Sequence, residues 1–178
     1  VEAMLRDVAR SPRSGEVYGR PSVGAVSPSL CGYHNDALLP IPYDPDVATA
    51  ALGRAGWVDN NGDGTLERAG QTFRFTLSVP AGSDARRRLA ELVQANLATV
   101  GVDAQLEFVE AGALATRLRA GQFDAVLSGW PGHLALDPAA AWGAEGPFAL
   151  TGYLNPRVDA LLGRCLQSSD QARSQSTW

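Results

Sequence analysis

A chain of 178 residues, 45% hydrophobic and 19% charged, has the size and composition of one ordinary globular domain with a substantial core. Its 15 basic and 19 acidic residues are mixed along the chain and sum to −4, which excludes the basic stripe of a nucleic-acid binder. No apolar run approaches the ~18 residues of a membrane span.

Val1, Met4, Leu5 and Val8 open the chain at helical spacing. From Ser11 to Pro42 the periodicity is lost, and Pro12, Pro21, Pro28, Pro40 and Pro42 break the backbone. An irregular run of that length is expected to be functional or draped over a larger partner surface. Tyr18, Tyr33 and His34 read better as its anchors than as ligand contacts. Residues 1–42 are thus expected as a helix plus a Pro/Gly-rich segment packed on an α/β lobe of residues 43–178, a single domain overall. The helical start at Val1 and the polar tail to Trp178 read as ends cut from a longer chain.

Asp44 is placed to cap a helix with Pro45 at its first position, where a missing N–H costs nothing. Val47, Ala48, Ala51, Leu52 and Ala55 form its apolar stripe, Gly56 its left-handed cap, and Trp57 is expected beneath that end. Asp59-Asn60-Asn61-Gly62-Asp63-Gly64 then opens like a calcium loop, with Asp59, Asn61 and Asp63 as the oxygen donors. The bidentate Glu due at the twelfth position falls on Gly70 instead, and Glu67 comes three residues early. A tight turn is the expectation, since Asn, Asp and Gly serve turns equally well.

Phe73, Phe75, Leu77 and Val79 alternate with Thr72, Arg74, Thr76 and Ser78, the pattern of a half-buried strand ended by Pro80-Ala81-Gly82. Ser83 caps a helix with Leu89, Leu92, Val93, Leu97 and Val100 on one stripe, closed by Gly101. Arg86-Arg87-Arg88 lies at its start and reads as a solvated face. Val102, Ala104, Leu106 and Phe108 give a second strand. A short helix (Ala113, Leu114, Leu118) ends at Gly121, and Asp124 to Leu127 reads as a strand buried on both faces. Strand, helix, strand, helix, strand predicts parallel pairing, hence an α/β fold with helices on both faces of the sheet. Asp137-Pro138 starts a short helix through Trp142, Gly152-Tyr153-Leu154 is expected extended, and Asn155-Pro156 caps a last helix carrying Val158, Leu161, Leu162, Cys165 and Leu166.

The apolar segment at 124–127 runs into Ser128-Gly129-Trp130-Pro131-Gly132-His133. Open α/β sheets bind ligands in the crevice beyond the carboxyl ends of their strands. Trp130 there is either a ligand floor or a plug for the end of a core. Gly129 and Gly132 would let backbone approach a ligand, and His133 with Asp137 would supply polar selectivity. No nucleophile elbow, phosphate loop or metal-spaced His pair is present, so no enzyme site and no cofactor are expected. Cys31 and Cys165 could pair in an oxidising compartment, but two cysteines make no framework.

Tyr43-Asp44-Pro45, Ala55-Gly56-Trp57, Asn61-Gly62-Asp63-Gly64, Glu91-Leu92-Val93-Gln94-Ala95-Asn96-Leu97 and Gly101-Val102 fall in an ordered series. Gly121-Gln122-Phe123-Asp124, Gly129-Trp130, Asp137-Pro138, Tyr153 with Asn155-Pro156, and Val158-Asp159-Ala160-Leu161-Leu162 continue it. Across about residues 40 to 166 the series resembles the family 5 extracellular solute-binding proteins, the binding components of peptide, oligopeptide and nickel ABC importers. The resemblance implies the second lobe of a two-lobed, periplasmic-binding-protein type II-like fold with a mixed sheet. It also implies an extracytoplasmic location, a small peptide-like or other organic ligand, and a membrane permease as partner of the complete protein. Trp130 matches the cleft tryptophan of the peptide binders. His133 stands where those binders often carry the Asp that pairs with the peptide amino terminus, so Asp137 is the remaining carboxylate for that role. Two other readings remain: the ligand-sensing lobe of an intracellular transcriptional regulator, and a calcium-stabilised interaction module around Asp59.

Overall fold

The computed structural model describes residues 23, 37–129 and 139–167, with side chains of the last helix described to residue 164. The expected first helix, nearly all of the Pro/Gly-rich segment, the polar tail and the Cys31–Cys165 pairing lie outside the described residues. The chain divides into two compact units, one containing Pro42–Ser128 and the other Gly129–Trp178. The division falls inside the stretch expected as one lobe of residues 43–178.

The first unit opens with α1 (Pro45–Arg54), whose first turn is set by Asp44: its carboxylate accepts from the Val47 N–H at 2.9 Å. Gly56, at φ 85°, closes the helix in the left-handed conformation. Its N–H donates to Gly53 and the Trp57 N–H to Leu52, the paired bonds of a Schellman cap. Trp57 then stacks on Phe73 at 4.4 Å, with the Arg68 guanidinium 4.7 Å from its ring centre. The predicted helix and cap are present, while the recorded ring contacts of Trp57 are with Phe73 and Arg68. The apolar stripe of α1, however, buries none of its residues.

Between that helix and the sheet stands a hairpin the sequence did not announce, β1 (Glu67–Arg68) antiparallel to β2 (Gln71–Thr72). Its two-residue turn, Ala69-Gly70, has positive φ at both positions (52° and 78°), as tight hairpins with matched twist require.

The core is a three-stranded parallel sheet in the order β4-β3-β5: β3 (Arg74–Pro80) is central, flanked by β4 (Asp103–Val109) and β5 (Ala125–Val126). Leu77 and Val79 pack against Ala90 of α2 (Asp84–Ala98), with Phe75, Val93, Leu106 and Phe108 around them. The opposite face carries Ser78 and Glu107, and Arg117 of α3 (Ala111–Arg119) reaches Glu107 from that side. Helices therefore cover both faces, as expected.

Two strand expectations need correction. Alternation predicted a half-buried β3, yet Leu77, Ser78 and Val79 are buried in succession, because the strand is central and helices cover both its faces. The short segment at 124–127 was expected buried on both faces. It is the half-buried edge strand, with Asp124 exposed and accepting the Thr76 N–H at 2.9 Å. It is short as well, since only Leu77–Ala125 and Ser78–Val126 pair.

The second unit holds α4 (Ala139–Trp142) and α5 (Pro156–Gln167). Asn155 accepts the Arg157 N–H at 3.1 Å, the cap foreseen before Pro156, and Leu162 is buried. Residues 152–154 join no strand, so their expected extension creates no sheet.

Candidate functional site

Parallel pairing aligns the carboxyl ends of all three strands on one edge of the first unit. Pro80 pairs with Val109 there, and β5 leaves two residues before Ser128. The exits are held by main chain: the Ala81 N–H donates to Val109 at 2.8 Å and the Leu127 N–H to Ser78 at 2.9 Å. Two helices also start at this edge. Ser83 accepts the Arg86 N–H for α2, and Glu110 accepts the Gly112 and Ala113 N–H groups for α3.

Ser78 is the only buried polar residue among the described residues, at 4% exposure. Its hydroxyl donates to Glu107 at 3.4 Å, and Arg117 donates to both Glu107 oxygens at 2.8 and 2.9 Å. A buried hydroxyl with a charged acceptor is satisfied rather than costly. The same Ser78 carries the carbonyl that holds Leu127, so one residue ties the central strand to β4, to α3 and to the exit of β5.

Of the candidate ligand residues, Gly129 is described. It is exposed, and a Cβ added there meets nothing within 4 Å. Neither crowding nor a positive φ requires glycine at this position. Trp130, Gly132, His133 and Asp137 lie outside the described residues.

The Asp59 turn is fully described. Asp59 accepts the Gly62 N–H at 2.7 Å and the Gly64 N–H at 2.9 Å; Asn61 accepts from Asp63 and Asp63 from Thr65, both at 2.8 Å. The Thr65 N–H and the Asn61 amide hold the Asp63 carboxyl below its usual value. Oxygens that would face a cation are thus acceptors for the loop's own N–H groups, the geometry of an Asx turn. Glu67, three residues early for a calcium loop, instead accepts the Asn61 amide at 2.7 Å.

At the opposite, amino edge of the sheet Arg74 meets Asp103 at 2.6 Å, and this guanidinium holds the Asp103 carboxyl below its usual value. At the carboxyl edge the Arg87 guanidinium lies 4.1 Å from the centre of the Phe108 ring. The run Arg86-Arg87-Arg88 gave no sign of that contact, because it joins α2 to a different strand. In the second unit, α4 and the following turn frame an open concavity of about 610 Å³ walled by Ala140, Gly143, Gly146 and Pro147, with Asp159 accepting the Ala144 N–H.

Comparison with known proteins places this architecture. Residues 15–147 match the sequence model of the bacterial extracellular solute-binding proteins, family 5 Middle. The oligopeptide-binding protein AppA of Bacillus subtilis is 36% identical over 107 residues, which cover 58% of this chain and 20% of that protein. The nickel-binding periplasmic protein of Escherichia coli is 36% identical over 110 residues, covering 60% of this chain and 21% of that one. The structure of Bacillus subtilis AppA in complex with a nonapeptide superposes with a TM-score of 0.80 at 26% identity, over 99% of this chain and 35% of that one. The chain spans about a fifth of the length of these two curated relatives. With more than half its residues matched by the family, the chain belongs to the bacterial extracellular solute-binding proteins, family 5.

Proposed function

We propose that the chain forms one wall of the ligand cleft of a solute-binding protein that delivers a small peptide-like or other organic ligand to an ABC importer outside the cytoplasm. One observation carries the reading: β5 ends at the carboxyl edge of an open parallel sheet and releases the chain into exposed Ser128-Gly129, immediately before Trp130. Ligands of open α/β sheets sit beyond that edge. Gly129 has no internal reason to be glycine, which suits close approach of a ligand to its backbone. Trp130 would cover the ligand, Gly132 would keep the turn open, and His133 with Asp137 would discriminate polar groups. The chain's part is binding rather than turnover, and its membrane permease would engage the complete protein. A cleft needs two walls, so affinity belongs to the complete protein, where burial between lobes supplies it.

The test is calorimetry on the complete protein with a ligand recovered from it by mass spectrometry. Trp130→Ala is expected to weaken binding at least tenfold, the scale of losing a desolvated aromatic contact of about 1.4 kcal/mol or more. His133→Ala is expected to change the ranking of related ligands. Unchanged affinity in both variants contradicts the assigned site.

A further inference from the structure

We infer that Asn61-Gly62 is a latent deamidation site: the closed Asp59 turn protects it, and an opening of the turn converts Asn61 into aspartate or isoaspartate with which the turn cannot close again. The inference stands apart from ligand capture.

Asn61 is the only asparagine of the chain followed by glycine. Asparagine is among the thermolabile residues of proteins, and a following glycine has no Cβ to shield its backbone nitrogen. Both residues are exposed, so water reaches them. In the reaction the Gly62 nitrogen gives its proton to a solvent base and bonds to Asn61 Cγ. The Cγ–Nδ2 bond breaks, and the amide nitrogen takes a proton from solvent and leaves as ammonia. Water then opens the cyclic imide at either carbonyl, giving aspartate or its β-linked isomer.

In the closed turn the reacting atoms are all engaged. The Gly62 N–H donates to Asp59 at 2.7 Å, so removing that proton would set an anionic nitrogen against a carboxylate. The departing nitrogen, Asn61 Nδ2, donates to Asp63 at 3.0 Å and to Glu67 at 2.7 Å. Asn61 Oδ1 accepts the Asp63 N–H at 2.8 Å. Loss of ammonia ends both Nδ2 bonds, and ring closure ends the bond from Gly62 to Asp59. Paired main-chain bonds between Val58 and Glu67, at 3.0 and 2.9 Å, close the base of the turn and hold this arrangement together.

The products do not fit the turn that forms them. Aspartate at position 61 places a carboxylate where an amide had donated to two others, so repulsion replaces two charge-assisted hydrogen bonds. Isoaspartate adds a methylene to the backbone between Asp59 and the Gly62 N–H that it accepts. Either product therefore leaves the turn open, which makes the conversion one-way.

The experiment follows Asn61 in the complete protein by peptide mass spectrometry during incubation at mildly alkaline pH, with isoaspartate read separately. Native wild type is expected to deamidate about tenfold more slowly than the same protein unfolded in urea, or slower still, the scale of one hydrogen bond to a charged group. D59A and E67A each remove one holding carboxylate and are expected to react several-fold faster than wild type. Wild type in sub-denaturing urea needs no variant to fold: its deamidation is expected to rise together with hydrogen exchange at the Gly62 and Gly64 amides. N61D, which stands for one product, is expected to lose exchange protection at those two amides. Native deamidation at the unfolded rate overturns the inference, as do rates in both variants no faster than wild type. Deamidation that stays flat in urea while those amides open overturns it as well. Exchange protection retained in N61D overturns the one-way conversion.

Discussion

Individual residues of this chain repay reading where side chain and backbone have one consistent use. Asp44, Ser83 and Asn155 cap the helices assigned to them, because each offers an oxygen to an N–H that the following residues leave free. Ala69 is the opposite case. It occupies φ 52°, which a β-carbon disfavours by roughly 1–2 kcal/mol, and nothing in an Ala-Gly pair announces a tight turn. Replacing it with Asn, which tolerates this conformation, is expected to raise unfolding stability by about 0.5–1 kcal/mol in a denaturant titration; a loss of stability would refute the strained-turn account. Asp103 sets an acid limit. Arg74 depresses its folded pKa below 3.8, so its contribution is complete above the unfolded value and lost as pH falls through the folded one. The denaturation midpoint is expected to hold from pH 7 to about pH 5 and to fall below about pH 4. Asp103→Asn is expected to flatten part of that fall and to cost only about 0.5 kcal/mol at neutral pH, since the Arg74 side chain is 62% exposed.

Helices and strands were legible where periodicity was long enough to speak. The stripe of α2 and the alternation of β3 and β4 correspond to real buried faces, and the glycine stops fell where expected. The hairpin β1–β2 was not legible, because two-residue strands carry no period. The edge strand β5 was misread for a related reason: a run as short as Ala125-Val126-Leu127 looks alike at the centre and at the edge of a sheet. Centrality, which belongs to topology, decided which strand is buried on both faces. Leu77 of β3 is 6% exposed and belongs to the cluster joining the sheet to α2. Leu77→Ala is expected to cost roughly 2–4 kcal/mol by loss of transfer energy and creation of a cavity. A cost under 1 kcal/mol would show that the sheet–α2 contact is not the core of the first unit.

For the whole molecule, the sequence carried the family, and the family match extends earlier than the residues that suggested it, starting at 15 rather than about 40. The candidate site was legible only as a place. A parallel sheet must gather its strand exits on one edge, and the glycine-flanked tryptophan follows the last of them. A second wall for the proposed cleft was not legible, because the chain covers only 35% of the superposed AppA chain. The most direct measurement is a crystal structure of the complete protein with its recovered ligand. The account predicts ligand atoms in van der Waals contact with the Trp130 indole, beyond the carboxyl ends of β4, β3 and β5 and beside Gly129. A ligand bound elsewhere, with that indole enclosed by protein on all sides, would contradict it.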